Sequence, residues 1–307
     1  MTQPQFFHND SFAAVTPRLS VLIPFYKESA LPLLHSLHSR DPAAVEVILI
    51  DDGSAMPDLT AQIRNFVAQS PLACQLMTLP VNEGRAKGRN RLTEAARGSY
   101  FLFLDADMLP DEDGFLDRWL AQTQKDTPVV FGGFSLLQAP DSAHVALHKR
   151  MAGQSDCLTA SERRLHPEKY VFTSNLLVRR DVFASEGFDP AFTGWGWEDV
   201  EWAMRVQSRF GIGHIDNTAT HMGLDTPQTL ARKYEQSVGN FARVIAKHPD
   251  IVAQYPSYKA ARLLKRLPLM GLWRTLIRAV ALSAYMPLSV RAFALRLYRA
   301  ALYSQVV

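Results

Sequence analysis

The stretch Tyr100-Phe101-Leu102-Phe103-Leu104-Asp105-Ala106-Asp107 decides how the rest of the chain is read. Five residues of strand-forming type run directly into two carboxylates spaced i, i+2. A short, continuous apolar run of this kind reads as a strand buried on both faces, as in a parallel sheet. In open α/β sheets the chemistry sits just beyond the carboxyl ends of such strands. Alternation along an extended chain points Asp105 and Asp107 the same way, with Ala106 opposite. Two acids on one side of a strand exit suit a hard divalent cation, Mn²⁺ or Mg²⁺, carrying a diphosphate. The competing reading is a strand followed by an ordinary acidic turn, and the neighbouring segments decide between them.

Upstream, Leu19-Ser20-Val21-Leu22-Ile23-Pro24 reads as a strand stopped by a proline that cannot donate to a ladder. Val45 to Ile50 is a second strand ending on Asp51-Asp52-Gly53-Ser54, and Gln75 to Leu79 a weaker third ending near Asn82-Glu83-Gly84-Arg85. Helical stretches separate them, so the pattern is βαβ and the sheet mostly parallel. Four polar loops then leave one sheet edge together. Pro24-Phe25-Tyr26 offers a flat surface to a base. Glu28 or Asp52 can accept from an imide N–H or from ribose hydroxyls. Asp51-Asp52-Gly53-Ser54 is equally a turn opening a helix. Arg85, Lys87 and Arg89 can hold phosphates by charge, or form a solvated helix face.

Downstream, Gly194-Trp195-Gly196-Trp197-Glu198-Asp199 runs into an acidic helix start. Acids there are favoured by the helix dipole, which gives a capping reading of Glu198 and Asp199. Trp195 and Trp197 offer stacking faces for sugars, and a carboxylate beside them can take a proton from an acceptor hydroxyl. His221 and His214 follow, each readable as an ordinary histidine. His144 and His148 have the i, i+4 spacing of a zinc helix without the glutamate of His-Glu-x-x-His, and the pair reads as incidental.

The composition bounds the rest. With 47% apolar and 21% charged residues, a chain of 307 residues is an ordinary globular protein with room for one large α/β domain and an appendage. The formal charge of +3 hides nine Lys/Arg and no Asp/Glu after Asp250, which leaves residues 1–250 at −6. A basic tail on an acidic body suggests an anionic surface. Cys74 and Cys157 form no metal spacing or disulfide framework, which fits a reducing, cytoplasmic setting. Met1 to Pro17 lacks a signal peptide's regions, and no apolar run is long enough to span a bilayer. From Tyr258 onward, leucines and Trp273 interleave with arginines and lysines, as in helices that lie in a membrane interface. A helical subdomain or dimer contact is the competing reading. No nucleic-acid recognition motif accompanies the charge.

Val21-Leu22-Ile23-Pro24-Phe25-Tyr26-Lys27-Glu28, Ile50-Asp51-Asp52-Gly53-Ser54, Asn82-Glu83-Gly84-Arg85 and Leu104-Asp105-Ala106-Asp107 together resemble the ordered motifs of family 2 glycosyltransferases, over about residues 18–225. The tryptophan-rich loop looks like the Gly-Trp-Gly-x-Glu-Asp motif of the same family, shared with galactosyltransferase-type C-terminal regions. The resemblance implies a GT-A fold, a Rossmann-like mostly parallel sheet flanked by helices, here with a helical C-terminal extension. It implies a nucleotide-sugar donor, usually UDP-linked, a divalent metal and inversion at the anomeric carbon. By the same resemblance Asp51 or Asp52 and Glu28 hold the nucleoside, with Arg85 or Lys87 nearby. Asp105 contacts the ribose or a metal-bound water, Asp107 ligates the metal, and His221 is an extra ligand. Asp199 is implied as catalytic base, with Glu198 near a sugar. The Gln-x-x-Arg-Trp signature of processive relatives is absent, so one sugar per encounter is expected.

The expected organisation is an N-terminal extension (1–17), a GT-A domain (18–225) and a basic amphipathic helical extension (226–307). The expected partners are a nucleotide-sugar and a saccharide or lipid-linked acceptor, in surface polysaccharide or glycolipid assembly of bacterial type. The expected place is the cytoplasm, peripheral to the inner face of the plasma membrane, with no nucleic acid bound. Two other classes compete: a sugar nucleotidyltransferase, for which no glycine-rich triphosphate loop is present, and a non-catalytic nucleotide- or glycan-binding module.

Overall fold

In the computed structural model, which describes residues 3–307, Tyr100–Leu104 is a strand buried on both faces. Tyr100, Leu102 and Leu104 enter one apolar core and Phe101 and Phe103 the other, as the period of two requires. The strands are β1 (Gln5–His8), β2 (Leu19–Phe25), β3 (Val45–Asp51), β4 (Ala73–Thr78), β5 (Tyr100–Leu104), β6 (Met108–Pro110), β7 (Val129–Phe131), β8 (Phe134–Ser135), β9 (Asn175–Arg179), β10 (Gly213–His214) and β11 (Ala219–His221). They form an eight-stranded sheet in the order β1-β4-β3-β2-β5-β9-β7-β10 and a small sheet β6-β11-β8. Neighbours from β4 to β5 are parallel, and β9 is antiparallel to β5 and β7. This is the α/β architecture the sequence implied.

Register aligns the functional edge. Phe25 lies opposite Asp51 and Asp51 opposite Thr78, so β2, β3 and β4 end level with one another. At the other end of the sheet Glu46 is fully buried. It accepts from Ser20 Oγ at 2.6 Å, Arg97 N–H at 2.6 Å and Arg97 Nε at 2.8 Å. Removing one partner of such a buried charge costs roughly 3–5 kcal/mol, so this network holds the end away from the chemistry.

Residues 5–9 are part of the fold: β1 adds an antiparallel edge strand to β4, and Asn9 accepts from the Cys74 N–H at 3.0 Å. A third core joins Phe192 and Met204 to the helices Pro227–Gln236, Val238–Lys247, Pro256–Leu264, Met270–Leu282 and Leu288–Tyr303. No helix among the described residues is long and apolar enough to cross a membrane.

Candidate active site

Strand β5 stops at Leu104, and this separates the two acids that alternation would have aligned. Asp105 begins a turn, its carbonyl accepting from the Met108 N–H at 3.1 Å. The Asp105 carboxylate is held by Arg89 and, at 3.4 Å, by Arg85. Asp107 faces elsewhere: its Oδ2 lies 3.2 Å from Nε2 of His221. The small sheet makes that pairing, because β11 runs antiparallel to β6 with His221 opposite Met108. Burial opposes the charge on both side chains, yet their hydrogen bond holds Asp107 below its ordinary range and His221 above its own.

Asp107 and His221 suit a divalent cation, one oxygen and one nitrogen ligand. No group of three or more His, Cys, Asp and Glu gathers at metal-holding distance among the described residues. A two-ligand site fits an ion that takes its remaining ligands from water and substrate phosphates, as Mg²⁺ sites do. Gly223 is a third member that the sequence concealed. A Cβ there would sit 1.9 Å from Asp107 Oδ2, so only glycine leaves the carboxylate its place.

His148 lies behind His221, ring centroids 5.8 Å apart, and its Nδ1 accepts from the Asp225 N–H at 2.7 Å. Burial and the neighbouring His221 push His148 down to about 4, which keeps it a neutral acceptor. Asp225 in turn binds Lys233 Nζ at 2.6 Å. The sequence reading of His148 as incidental misses this supporting place. Glu28 is exposed, and its carboxyl is raised first by desolvation and then by Asp107. Glu28 is thus near enough to Asp107 for the two charges to oppose one another.

The second loop is fastened by its own acids. Asp51 accepts from the Ser54 N–H at 2.9 Å and from Thr60 Oγ1 at 2.9 Å, the turn-and-cap use of such a residue. Asp52 accepts from the N–H groups of Glu83 at 2.8 Å and Gly84 at 3.0 Å, and from Asn82 Nδ2 at 3.0 Å. Asp52 thereby ties the end of β3 to the Asn82–Gly84 loop. Burial raises its carboxyl even though those N–H groups pull the other way. Pro24 and Phe25 close β2, while Tyr26 is 44% exposed with Lys27 Nζ 5.0 Å over its ring. Lys87 is exposed on the first turn of the helix Arg85–Ala95.

Arg85 joins the two halves. Its Nε donates to Glu198 Oε1 at 2.9 Å while its Nη2 reaches Asp105. Glu198 opens the helix Glu198–Arg209, and its Oε2 is buried with no hydrogen-bond partner among the described residues. A buried acceptor left open costs free energy unless a ligand supplies a donor. Asp199, next to it, accepts from the Val200 N–H at 2.8 Å. Burial and the adjacent Glu198 push Asp199 up to about 7, against the pull of Arg85.

The loop before this helix is shaped from the C-terminal side. Gly194, Gly196 and Trp197 all take positive φ, +76°, +85° and +77°. The two glycines adopt this without steric cost, whereas for Trp197 it is strained and must be held by its surroundings. Asn240 Nδ2 donates to the carbonyls of Thr193 at 2.9 Å and Gly196 at 2.8 Å. Trp197 donates from Nε1 to Tyr303 Oη at 2.9 Å and packs on Phe241 at 4.7 Å. Its ring is thus used in packing rather than left open as a stacking face. Trp195 is half-buried, with Tyr234 at 6.1 Å and Lys233 Nζ at 5.8 Å from its ring. Tyr303 and Asn240 were beyond sequence reading, since no local pattern links them to the loop.

The same architecture occurs in solved structures. A mannosyltransferase from Pyrobaculum calidifontis in complex with GDP-Man and Mn²⁺ matches at TM-score 0.57 and 19% identity, covering 94% of this chain and 87% of that one. A GalNAc-T7 structure with UDP, GalNAc and Mn²⁺ matches at TM-score 0.58 and 17% identity, covering 82% and 52%. The validoxylamine A glucosyltransferase of Streptomyces hygroscopicus subsp. limoneus is 27% identical over 271 residues, 78% of this chain and 58% of that protein. The chain spans 11% to 58% of the length of the curated relatives it matches. The family model for glycosyl transferase family 2 matches residues 20–185, more than half of the chain. The protein belongs to that family.

Proposed function

We propose that the chain is an inverting, metal-dependent glycosyltransferase that moves a sugar from a nucleotide-sugar, UDP-linked, to a hydroxyl of a saccharide or lipid-linked acceptor. The observation that carries this reading is the Arg85 bridge. One guanidinium contacts Asp105, at the exit of β5, and Glu198, at the start of the acidic helix. The Arg85 side chain thus links Asp105 of the donor-side motif to Glu198, which supports reading them as parts of one site. Glycosyltransferases among the matched structures carry Mn²⁺ with a nucleotide or nucleotide-sugar, which supports the donor class.

In this reading Tyr26 and Asp52 line the nucleoside side, Phe25 being buried in the core beneath them, and Arg85 and Lys87 offset charge on the diphosphate as it departs. A divalent ion held by Asp107 and His221 supplies further charge stabilisation to that diphosphate when bound. Asp199 takes the proton of the acceptor hydroxyl, whose oxygen attacks the anomeric carbon from the face opposite the leaving group. A carboxyl lifted to about 7 is matched to that task near neutral pH. Glu198 Oε2 accepts from a sugar hydroxyl. The catalytic unit comprises residues 18–225, and 226–307 is an extension that braces it. The acceptor belongs to surface polysaccharide or glycolipid assembly of bacterial type, at the inner face of the plasma membrane.

The test is transfer or hydrolysis across a panel of UDP-sugars with Mn²⁺ or Mg²⁺, wild type beside Asp199→Asn. Release of UDP from one donor, lost in the variant, supports the reading and names the sugar. UDP binding without turnover, in the presence of membrane extract, turns it towards a binding module.

A further inference from the structure

The helix Met270–Leu282 carries an apolar stripe on its solvent side. Leu272, Trp273, Leu276 and Val280, with Leu269 just before them, are all exposed. Counted from Leu269 they fall at i+3, i+4, i+7 and i+11, one stripe about 100° wide on a 3.6-residue period. The opposite side carries Ala281, the helix's one buried residue, and Arg278, whose Nε lies 3.4 Å from Glu235 Oε1. Arg274 and Arg278 both act on Tyr298 of the adjoining helix. Ile277 and Leu282, half-buried, pack with Ala281 on the third core, so the helix is apolar on the side that holds the protein and carries a second apolar stripe towards water.

The stripe does not stop at the helix ends. Leu263 and Leu267 precede it, and Tyr285, Met286, Val290 and Phe293 follow, Tyr285 at 97% and Phe293 at 68% exposure. Eleven of the eighteen exposed large apolar residues in the described chain lie between 263 and 293, a concentration in one segment rather than a scatter over the chain. Exposed Arg262, Lys265 and Arg266 flank it, and no acid follows Asp250. A second copy meeting this face about a two-fold axis would bring like charges together. A negatively charged lipid surface complements both the apolar stripe and its basic flank.

We propose that this face docks on an anionic bilayer, with the helix Met270–Leu282 lying in the headgroup plane. Leu269, Leu272, Trp273 and Leu276 enter the acyl boundary, and Arg262, Lys265 and Arg266 meet lipid phosphates. The helix Leu288–Tyr303 starts in this face, at Val290 and Phe293, and ends at Tyr303, which holds Trp197. At 1.5 Å per residue Val290 and Tyr303 are about 20 Å apart along the axis. The docked chain thus presents its cleft to an acceptor anchored in the same bilayer, a consequence that rests on the transferase reading. The docking itself does not.

The experiment is flotation of the full chain with vesicles of phosphatidylglycerol and phosphatidylcholine, beside pure phosphatidylcholine, at low and high salt. The wild type floats with the anionic vesicles and is released by salt. Trp273→Ser with Leu276→Ser lowers the affinity about tenfold or more, and Arg262→Glu with Arg266→Glu does the same. All four positions are exposed, so circular dichroism and melting remain those of the wild type. Wild type that fails to float overturns the proposal. So does a lipid-free dimer that Trp273→Ser dissociates, which would give the stripe to a second copy. Neither readout needs turnover: an inactive protein that floats removes the transferase reading and leaves the docking.

Discussion

His221 Nε2 and Asp107 Oδ2 lie 3.2 Å apart although 114 positions separate them in the chain. The contact is made by the three-stranded sheet, which folds β11 back on the exit of β5. It joins an acid and an imidazole at the place where the donor's diphosphate is expected.

If this pair holds the divalent ion, Asp107→Asn and His221→Ala each weaken Mn²⁺ binding by about tenfold or more, and Gly223→Ala does so by displacing the Asp107 carboxylate without replacing a ligand. Titration of the wild type and variants by Mn²⁺ paramagnetic resonance checks this. Unchanged affinity in all three places the ion elsewhere.

Asp199→Asn separates chemistry from stability. Its loss of turnover should be about 10²- to 10⁴-fold, the usual range for a general base. In the wild type kcat/KM should rise with pH and level off above about 7, where Asp199 has lost its proton. The native carboxyl titrates above its ordinary 3.8, so over that window the folded chain keeps a proton that the unfolded chain has released. Stability therefore falls as pH rises from about 4 to about 7 and is level beyond. The asparagine variant lacks this fall and is more stable at pH 8, by on the order of 2 kcal/mol after allowance for partial exposure. Melting curves at pH 5 and pH 8 measure it.

Arg85→Ala leaves Glu198 with neither carboxylate oxygen paired, since Oε2 has no partner already. A loss of about 1–3 kcal/mol in stability follows from the buried charge. UDP affinity should fall by about tenfold as a diphosphate contact goes. Calorimetric titration with UDP, beside a thermal melt, reads the two effects separately.

The strand pattern and the order of the four loops were legible because each is local: β5 shows its continuous apolar run in five residues and ends visibly in acids. The aspartate geometry was not. Alternation holds only while the chain stays extended, and a turn begins at Asp105, so Asp105 goes to Arg85 and Arg89 and Asp107 to His221. Gly223 was hidden for a similar reason, because its constraint is a carboxylate more than a hundred residues away. Trp197 was read as an open ring because its partners, Phe241 and Tyr303, lie on helices whose packing no local period specifies. The same holds for the C-terminal helices, whose interleaved Leu and Arg could not reveal which side faces water.

Tyr303→Phe removes one hydrogen bond to Trp197 and one to Ser237 and should cost about 1–2 kcal/mol. The larger change is expected in kcat, with UDP affinity retained, because the loop that presents Asp199 loses its brace. Steady-state kinetics beside UDP titration tests that split.

That brace bears on how the protein can be divided. The stretch that the family model matches ends at residue 185, and a fragment cut at 225 would keep all of it. It would lose Asn240, Phe241 and Tyr303, and with them the partners that keep Trp197 in a left-handed conformation. A truncated domain prepared for crystallography or for inhibitor screening would carry a relaxed loop and a displaced Asp199. Its inactivity would be an artefact of the cut and no evidence about the intact enzyme.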